Sequence, residues 1–423
     1  MAMASNDTYE YRLQNGLKLI VREDHRAPVV VSSVWYKVGG SYEHDGITGV
    51  SHMLEHMMFK GTKRFGPGVL IKKISDNGGQ QNAMTSDDFT MYYQQLSADK
   101  LGLSFELEAD RMRNLSLQKN LFDKEHQVVM EERRMRVDDN PQSLTWERFQ
   151  AVAFVNNPYQ HPTVGWMTDL KNLTLSDLKN WYETWYSPNN AVVVVVGDVK
   201  AAEVFNLAKK YFGPLKSGSV PKLKPRTEVA SIGPRKITAN INAKVPWLVM
   251  GYNVPVLKGT QHQWKAYALY VLISILDAGD SGRLQADLVR GKQIAVNIDG
   301  SYNIYSLHNN LLVIDAVPAA NHSIKTLRRA ILSEISRLQK QPVTEAELKR
   351  IKAQVITSNV YKKDSMMREA YDIGIPEMAD LSWRDSAAFV SRIEAVTPKQ
   401  VQAVANEFLQ TKNLTVGVLQ PHA

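Results

Sequence analysis

Alternating apolar and polar residues run along 9–13 and 17–21 on either side of Asn15-Gly16, the sequence of a β-hairpin. A third strand is expected over 29–38, rich in Val and carrying Trp35 and Tyr36, at the centre of a sheet. Residues 80–85 form a short strand, Ser86-Asp87-Asp88 a turn, and a further strand begins at Phe89. Ala191 followed by valine from Val192 to Val196 has no polar face at all, so it reads as a strand buried on both sides. Between these, apolar residues recur at helical spacing over 69–77, 97–115, 122–137, 175–186 and 201–212.

The pattern then breaks. Lys216 to Pro225 mixes Lys, Ser, Gly and Pro, as a solvated linker does, and it divides the chain nearly in half. Strands resume over 236–254, followed by an apolar helix at 263–277, strands at 295–305 and 311–317, helices from 322 to 409, and a last strand at 414–419. The halves echo each other. Thr174 starts a helix that leads through Trp185 to Asn190 and a strand, and Thr397 starts one that leads through Phe408 to Asn413 and a strand; 397 − 174 and 413 − 190 both give 223. The expected architecture is α+β and duplicated: two similar domains, each a mainly antiparallel sheet packed with helices. Residues 9–215 form the first domain, 216–234 the linker and 235–423 the second, while 1–8 read as a cloning scar or disordered start.

Composition narrows the class. The chain has 423 residues, 44% hydrophobic and 22% charged, in the range of globular proteins and too long for one ordinary core. No run of about 18 apolar residues offers a membrane span. Cys is absent, so disulfides, thiol nucleophiles and cysteine metal sites are excluded, and any zinc must be held by His and carboxylate. The net charge of +8 is scattered among acids along the helices, which argues against nucleic acid as a partner.

Candidate chemistry sits at His52-Met53-Leu54-Glu55-His56, between Asp45-Gly46 and Gly61. On a helix, positions 52, 55 and 56 share a face, so two imidazoles and a carboxylate converge. Two neutral imidazoles one turn apart can each give a nitrogen to Zn²⁺, leaving Glu55 beside the ion rather than on it. Zinc lowers the pKa of coordinated water to about 7, and a neighbouring carboxylate can take that proton and pass it to a leaving amine. A second clue is acidic. In the helix over 122–137, Glu125 and Glu132 are two turns apart on one face, and Glu131 points about 100° away. By itself that pattern is a solvated acidic face.

Taken together, HMLEH, GGQQNAMTSDDFTMYY, EHQVVMEE, NPYQHPTVGW and the doubled architecture resemble the inverted-motif (HxxEH) zinc peptidases of the pitrilysin and mitochondrial processing peptidase family, in a bacterial two-domain form. The resemblance implies one zinc per chain held by His52, His56 and Glu132, with Glu55 as general base. The interval 132 − 56 = 76 suits the family, and Glu132 rather than Glu131 is chosen by its phase with Glu125, which would orient a ligand His. Asn82, Ala83, Met84 and Thr85 match the family's edge strand, a template on which an extended peptide adds as a further strand.

One element departs from the family. Active members carry an Arg and a Tyr seven apart in the second domain that hold the substrate carbonyl. Here the aligned positions are Val289 and Val296, Arg290 is one residue out of register, and Tyr302 and Tyr305 lie farther on. The resemblance therefore implies a two-subunit enzyme: this chain bears the zinc, and a homologous second subunit closes a clam-shell chamber and supplies the Arg/Tyr pair. A homodimer is the alternative assembly. The rival function is a non-catalytic structural or substrate-binding subunit. From exported relatives of this type and a trimmed-looking start, the expected location is the bacterial periplasm, with the cytoplasm as alternative.

Overall fold

Val192 to Val196 lie in the middle strand of a seven-stranded sheet, fully buried on both faces, in a computed structural model of the chain. The structure describes the backbone of residues 3–5 and all of 7–422. The start read as a scar or disordered segment falls partly outside the described residues; Met3–Ser5 (β1) pairs antiparallel with Thr8–Glu10.

The first sheet continues with Thr8–Arg12 (β2), Lys18–Glu23 (β3), Val29–Tyr36 (β4), Gln80–Thr85 (β5), Thr90–Ser97 (β6) and Ala191–Gly197 (β7), in the order β1-β2-β3-β7-β4-β6-β5. The strand expected at the centre, β4, is one place off it, because the all-valine β7 inserts beside it. Only β3 and β7 run parallel. Alternation along β7 feeds two cores. Val193 and Val195 pack with the motif helix side, and Val192, Val194 and Val196 pack on the opposite face with Ile20, Val31, Trp35 and Met91. Each buried Val contributes roughly 1.5 kcal/mol or more, which explains why the sheet is organised around this strand.

The second sheet consists of Arg235–Ile241 (β8), Trp247–Val254 (β9), Ala295–Tyr302 (β10), Asn310–Pro318 (β11) and Leu414–Pro421 (β12), in the order β10-β11-β9-β12-β8. Read from the other edge, β8-β12-β9-β11-β10 repeats β3-β7-β4-β6-β5, with the parallel pair in the same place. The helices obey the offset too: Leu175–Trp185 and Pro398–Phe408 start 398 − 175 = 223 apart, and each has a Thr capping box. The fold is α+β and duplicated, two mainly antiparallel sheets each packed with helices.

The division between units is not the simple cut at the linker. One compact unit comprises Met1–Arg133, His161–Pro225 and Lys362–Trp383; the other comprises Arg134–Gln160, Arg226–Tyr361 and Arg384–Ala423. The physical reason lies in two helices. Met366–Met378, from the second half of the chain, covers the apolar face of the first sheet with Ala370 and Ile373 beside Trp35. Pro141–Ala153, from the first half, lays Phe149 and Ala153 on Val249, Leu311 and Val313 of the second sheet. Each sheet thus completes its core with a helix lent by the other half. Among the described residues no helix is long and apolar enough to cross a membrane.

Candidate metal centre

The motif occupies a short helix, Val50–Met57, whose burial pattern matches its period: Met53, Leu54 and Met57 face the core, and His52, Glu55 and His56 are half-buried on the other side. Nothing in its own first turn caps it. Gly49 is the N-cap at φ 88° with no side-chain bond; one carboxylate takes the place of the missing cap and a second braces the loop before it. Glu43 accepts from the amides of Gly49 at 2.6 Å and Ser51 at 2.8 Å. Asp169 accepts from the Thr48 hydroxyl at 2.7 Å and from the amides of Gly46 and Thr48. Glu43 thereby satisfies the Ser51 amide, one of the donors that a helix start otherwise leaves open, and Asp169 braces the loop that leads into the helix. Burial pushes the Glu43 carboxyl up to about 8, against the pull of its two amide partners. Gly49 must be glycine: its backbone is left-handed, and a Cβ would stand 2.6 Å from the Val164 carbonyl oxygen.

The second contributor is the helix Lys119–Arg133, which widens into a π-helical turn over Arg134–Asp138. From it Glu132 reaches the motif helix, with Oε2 3.1 Å from His56 Nε2 and 3.8 Å from His52 Nε2. Among the described residues His52, His56 and Glu132 form the group suited to a metal ion, with one ligand atom from each within 4.8 Å of the others. Tetrahedral ligands about 2.1 Å from zinc stand roughly 3.4 Å apart, so the donor set and its spacing fit that ion. Glu131, the neighbouring candidate by spacing, is exposed.

Around the trio each further residue has a definite partner. Glu125 Oε1 lies 2.9 Å from His56 Nδ1, and its Oε2 is 2.5 Å from Lys60 Nζ. Donation of Nδ1–H to Glu125 would leave His56 Nε2, which faces Glu132, as the ligand atom. Glu55 accepts from the Thr85 hydroxyl at 2.5 Å. Burial raises the Glu55 carboxyl above its ordinary range, while the Thr85 bond and the charge of His56 draw it back. Thr85 ends β5, the edge strand of its sheet, and Asn82, Ala83 and Met84 precede it there; the Asn82 side chain accepts from the Ala83 amide at 2.9 Å.

The positions read as lacking the Arg/Tyr pair are equally definite. Val289 and Arg290 lie in the π-helical turn Gln285–Gly291, and Arg290 pairs with Asp280 at 3.4 Å. Val296 is exposed on β10. Tyr302 donates its hydroxyl to the Pro255 carbonyl at 2.6 Å and is buried. Sequence reasoning did not single out Glu43, Asp169 or Lys60. Lys60 follows His56 by a helical interval, the one signal available, but the helix has ended by then. Glu43 and Asp169 carry no local signal, since their partners are set by loop paths.

Comparison with known proteins places this arrangement. The family model "Insulinase (Peptidase family M16)" matches residues 18–165, and "Peptidase M16 inactive domain" matches 172–355. The zinc protease PqqE of Helicobacter pylori is 35% identical over 347 residues, 80% of this chain and 76% of that protein. A probable mitochondrial-processing peptidase subunit beta of Arabidopsis thaliana is 25% identical over 99% of this chain and 79% of its own length. The crystal structure of a protease from Helicobacter pylori superposes with a TM-score of 0.92 at 31% identity, covering 99% of this chain and 100% of that one. On this similarity, across both halves and around the HMLEH helix, the chain belongs to peptidase family M16, the insulinase family.

Proposed function

We propose that the chain is a zinc metallopeptidase that hydrolyses peptides or unfolded polypeptide segments. The observation that carries this reading is the convergence of His52, His56 and Glu132 with Glu55 on the same helix face. When bound, zinc supplies a Lewis acid that polarises the scissile carbonyl and makes water acidic enough to be deprotonated near neutrality. Glu55 takes that proton as the C–O bond forms and returns it to the amine as the C–N bond breaks. Glu125 keeps His56 in the tautomer that offers Nε2. An extended substrate pairs with the free edge of β5, through Asn82, Ala83, Met84 and Thr85, so recognition is largely by backbone and tolerant of sequence. Replacing Glu55 by Gln tests the assignment: zinc stays bound in stoichiometric amount and turnover falls by roughly 10²-fold or more. Wild-type turnover in that variant would refute it.

The absence of Arg and Tyr at 289 and 296, and the engagement of Arg290 with Asp280, support a homologous second subunit as the source of that pair, in a heterodimer. A homodimer is the other assembly, and full peptidase activity of the chain purified alone, against activity only when a homologous partner is added, separates the two. A second reading, a structural or substrate-binding subunit without catalysis, is favoured by the inactive-domain match over 172–355. Metal analysis of the purified chain separates the two, since a scaffold has no use for stoichiometric zinc.

A further inference from the structure

We propose that the Thr85 hydroxyl is a positioning group for Glu55, tying the carboxylate that moves the proton to the strand edge on which substrate lies. The inference rests on the peptidase reading, in which the backbone of Thr85 pairs with substrate, and adds to it a role for the Thr85 side chain, which acts through Glu55.

The contact itself is short and directed. Thr85 Oγ1 donates to Glu55 Oε2 at 2.5 Å, and the Thr85 backbone adds a smaller hydrogen-bond contribution to the same carboxylate, so residue 85 holds it at one place. Thr is β-branched and stiff about χ1, so on a strand it presents its hydroxyl in a defined direction. A Glu side chain has three torsions, and the last is broad; without a fixed donor its carboxylate plane samples many orientations.

Thr85 is well placed to be that donor because the chain beyond it is clamped. It ends β5, and the Ser86-Asp87-Asp88 turn that follows is held from several sides. The amides of Gly40 and Ser41 donate to the carbonyls of Ser86 at 3.1 Å and Asp87 at 2.7 Å. The hydroxyls of Ser41 and Thr163 donate to Asp88 at 3.0 Å and Asp87 at 2.8 Å. Gly39 passes so close that a Cβ there would stand 2.2 Å from the Ser86 carbonyl oxygen. Glu43, which holds the start of the motif helix, belongs to the same short stretch of chain as Gly39, Gly40 and Ser41. One segment therefore sets both the helix carrying Glu55 and the strand end carrying Thr85. At its other end β5 is open, with Gln80 and Asn82 exposed. The strand is thus fixed where it meets the base and accessible where a peptide would be laid down.

The test compares Thr85→Val, which keeps shape and β-branching, with Thr85→Ser, which keeps the hydroxyl. Both are measured as the zinc-loaded full chain, with a partner subunit present where turnover needs one. The expected result for Thr85→Val is a kcat roughly 10- to 100-fold lower, with KM and zinc affinity within about twofold of wild type. Thr85→Ser recovers most of the loss. Crystal structures of the zinc-loaded proteins should show Glu55 in one conformer on residue 85 in wild type and Thr85→Ser, and rotated or multiple in Thr85→Val. A Thr85→Val protein with wild-type kcat, or with Glu55 unmoved, overturns the inference and leaves the peptidase reading standing. A wild-type chain that binds no zinc and cleaves no peptide overturns that reading, and the inference with it.

Discussion

Glu125 draws its importance from standing between a cation and a ligand. Its two oxygens meet Lys60 Nζ and His56 Nδ1, so it ties the imidazole proposed to hold the metal to the neighbouring lysine. Removing it as Glu125→Ala leaves the three ligand side chains in place but frees the His56 ring. Zinc affinity is expected to fall about 10- to 100-fold, read by competition with a chelator, the usual cost of losing such a support. Affinity equal to wild type would show that packing alone orients the ring. Asp87 makes a different argument. Burial and the neighbouring Asp88 push its carboxyl up to about 7, so the folded chain holds a proton there that the unfolded chain releases above its ordinary value of 3.8. Stability from this group is complete at low pH and is lost as pH rises toward 7, by up to ~1.4 kcal/mol per pH unit. Asp87→Asn keeps an acceptor for Thr163 and cannot ionise. Its melting temperature relative to wild type should therefore climb between pH 5 and pH 8, and a flat difference would contradict the assignment.

At the scale of elements, the motif helix is short and depends on what surrounds it. Eight residues are too few for a helix to be stable alone, so its geometry is imposed by Met53, Leu54 and Met57 in the core and by Glu43 and Asp169 at its start. Gly49→Ala tests this dependence. A left-handed alanine costs about 1–2 kcal/mol, and the contact with the Val164 carbonyl adds roughly 1–3. The variant should melt several degrees lower and bind zinc more weakly, because the helix must shift to relieve the clash; calorimetry with zinc titration measures both. The helix and its histidine spacing were legible in the sequence, as were the strands and the phase of Glu125 with Glu132. The brace on the loop before the helix was not, because the acceptor for the Thr48 hydroxyl lies 169 − 48 = 121 residues away and no local rule connects them.

At the scale of the molecule, the exchange of helices between halves has a consequence that a contiguous two-domain reading does not. A fragment of residues 1–225 lacks Met366–Met378 and so leaves Trp35, Val31, Phe89, Met91 and the outer valines of β7 without cover. Expressed alone it should aggregate or bind hydrophobic dyes, and co-expression with 226–423 should restore a soluble species; a stable monomeric fragment would contradict the exchange. Gly374 sits against the indole of Trp35, where a Cβ would come within 2.4 Å, so the helix lies tightly on the sheet. The repeat at an offset of 223 already implied two copies of one α+β plan, and the strand order confirms it. Periodicity, turn residues and the HMLEH spacing are local properties, written in neighbouring residues, and they determined the elements, the duplication and the candidate ligands. Which helix covers which sheet, which carboxylates hold the start of the motif helix and the loop before it, and that Thr85 rather than another hydroxyl meets Glu55 were decided only by tertiary structure. Those choices depend on contacts between residues tens to hundreds of positions apart, whose closure is fixed by burying apolar surface over the whole chain and leaves no periodic trace in sequence.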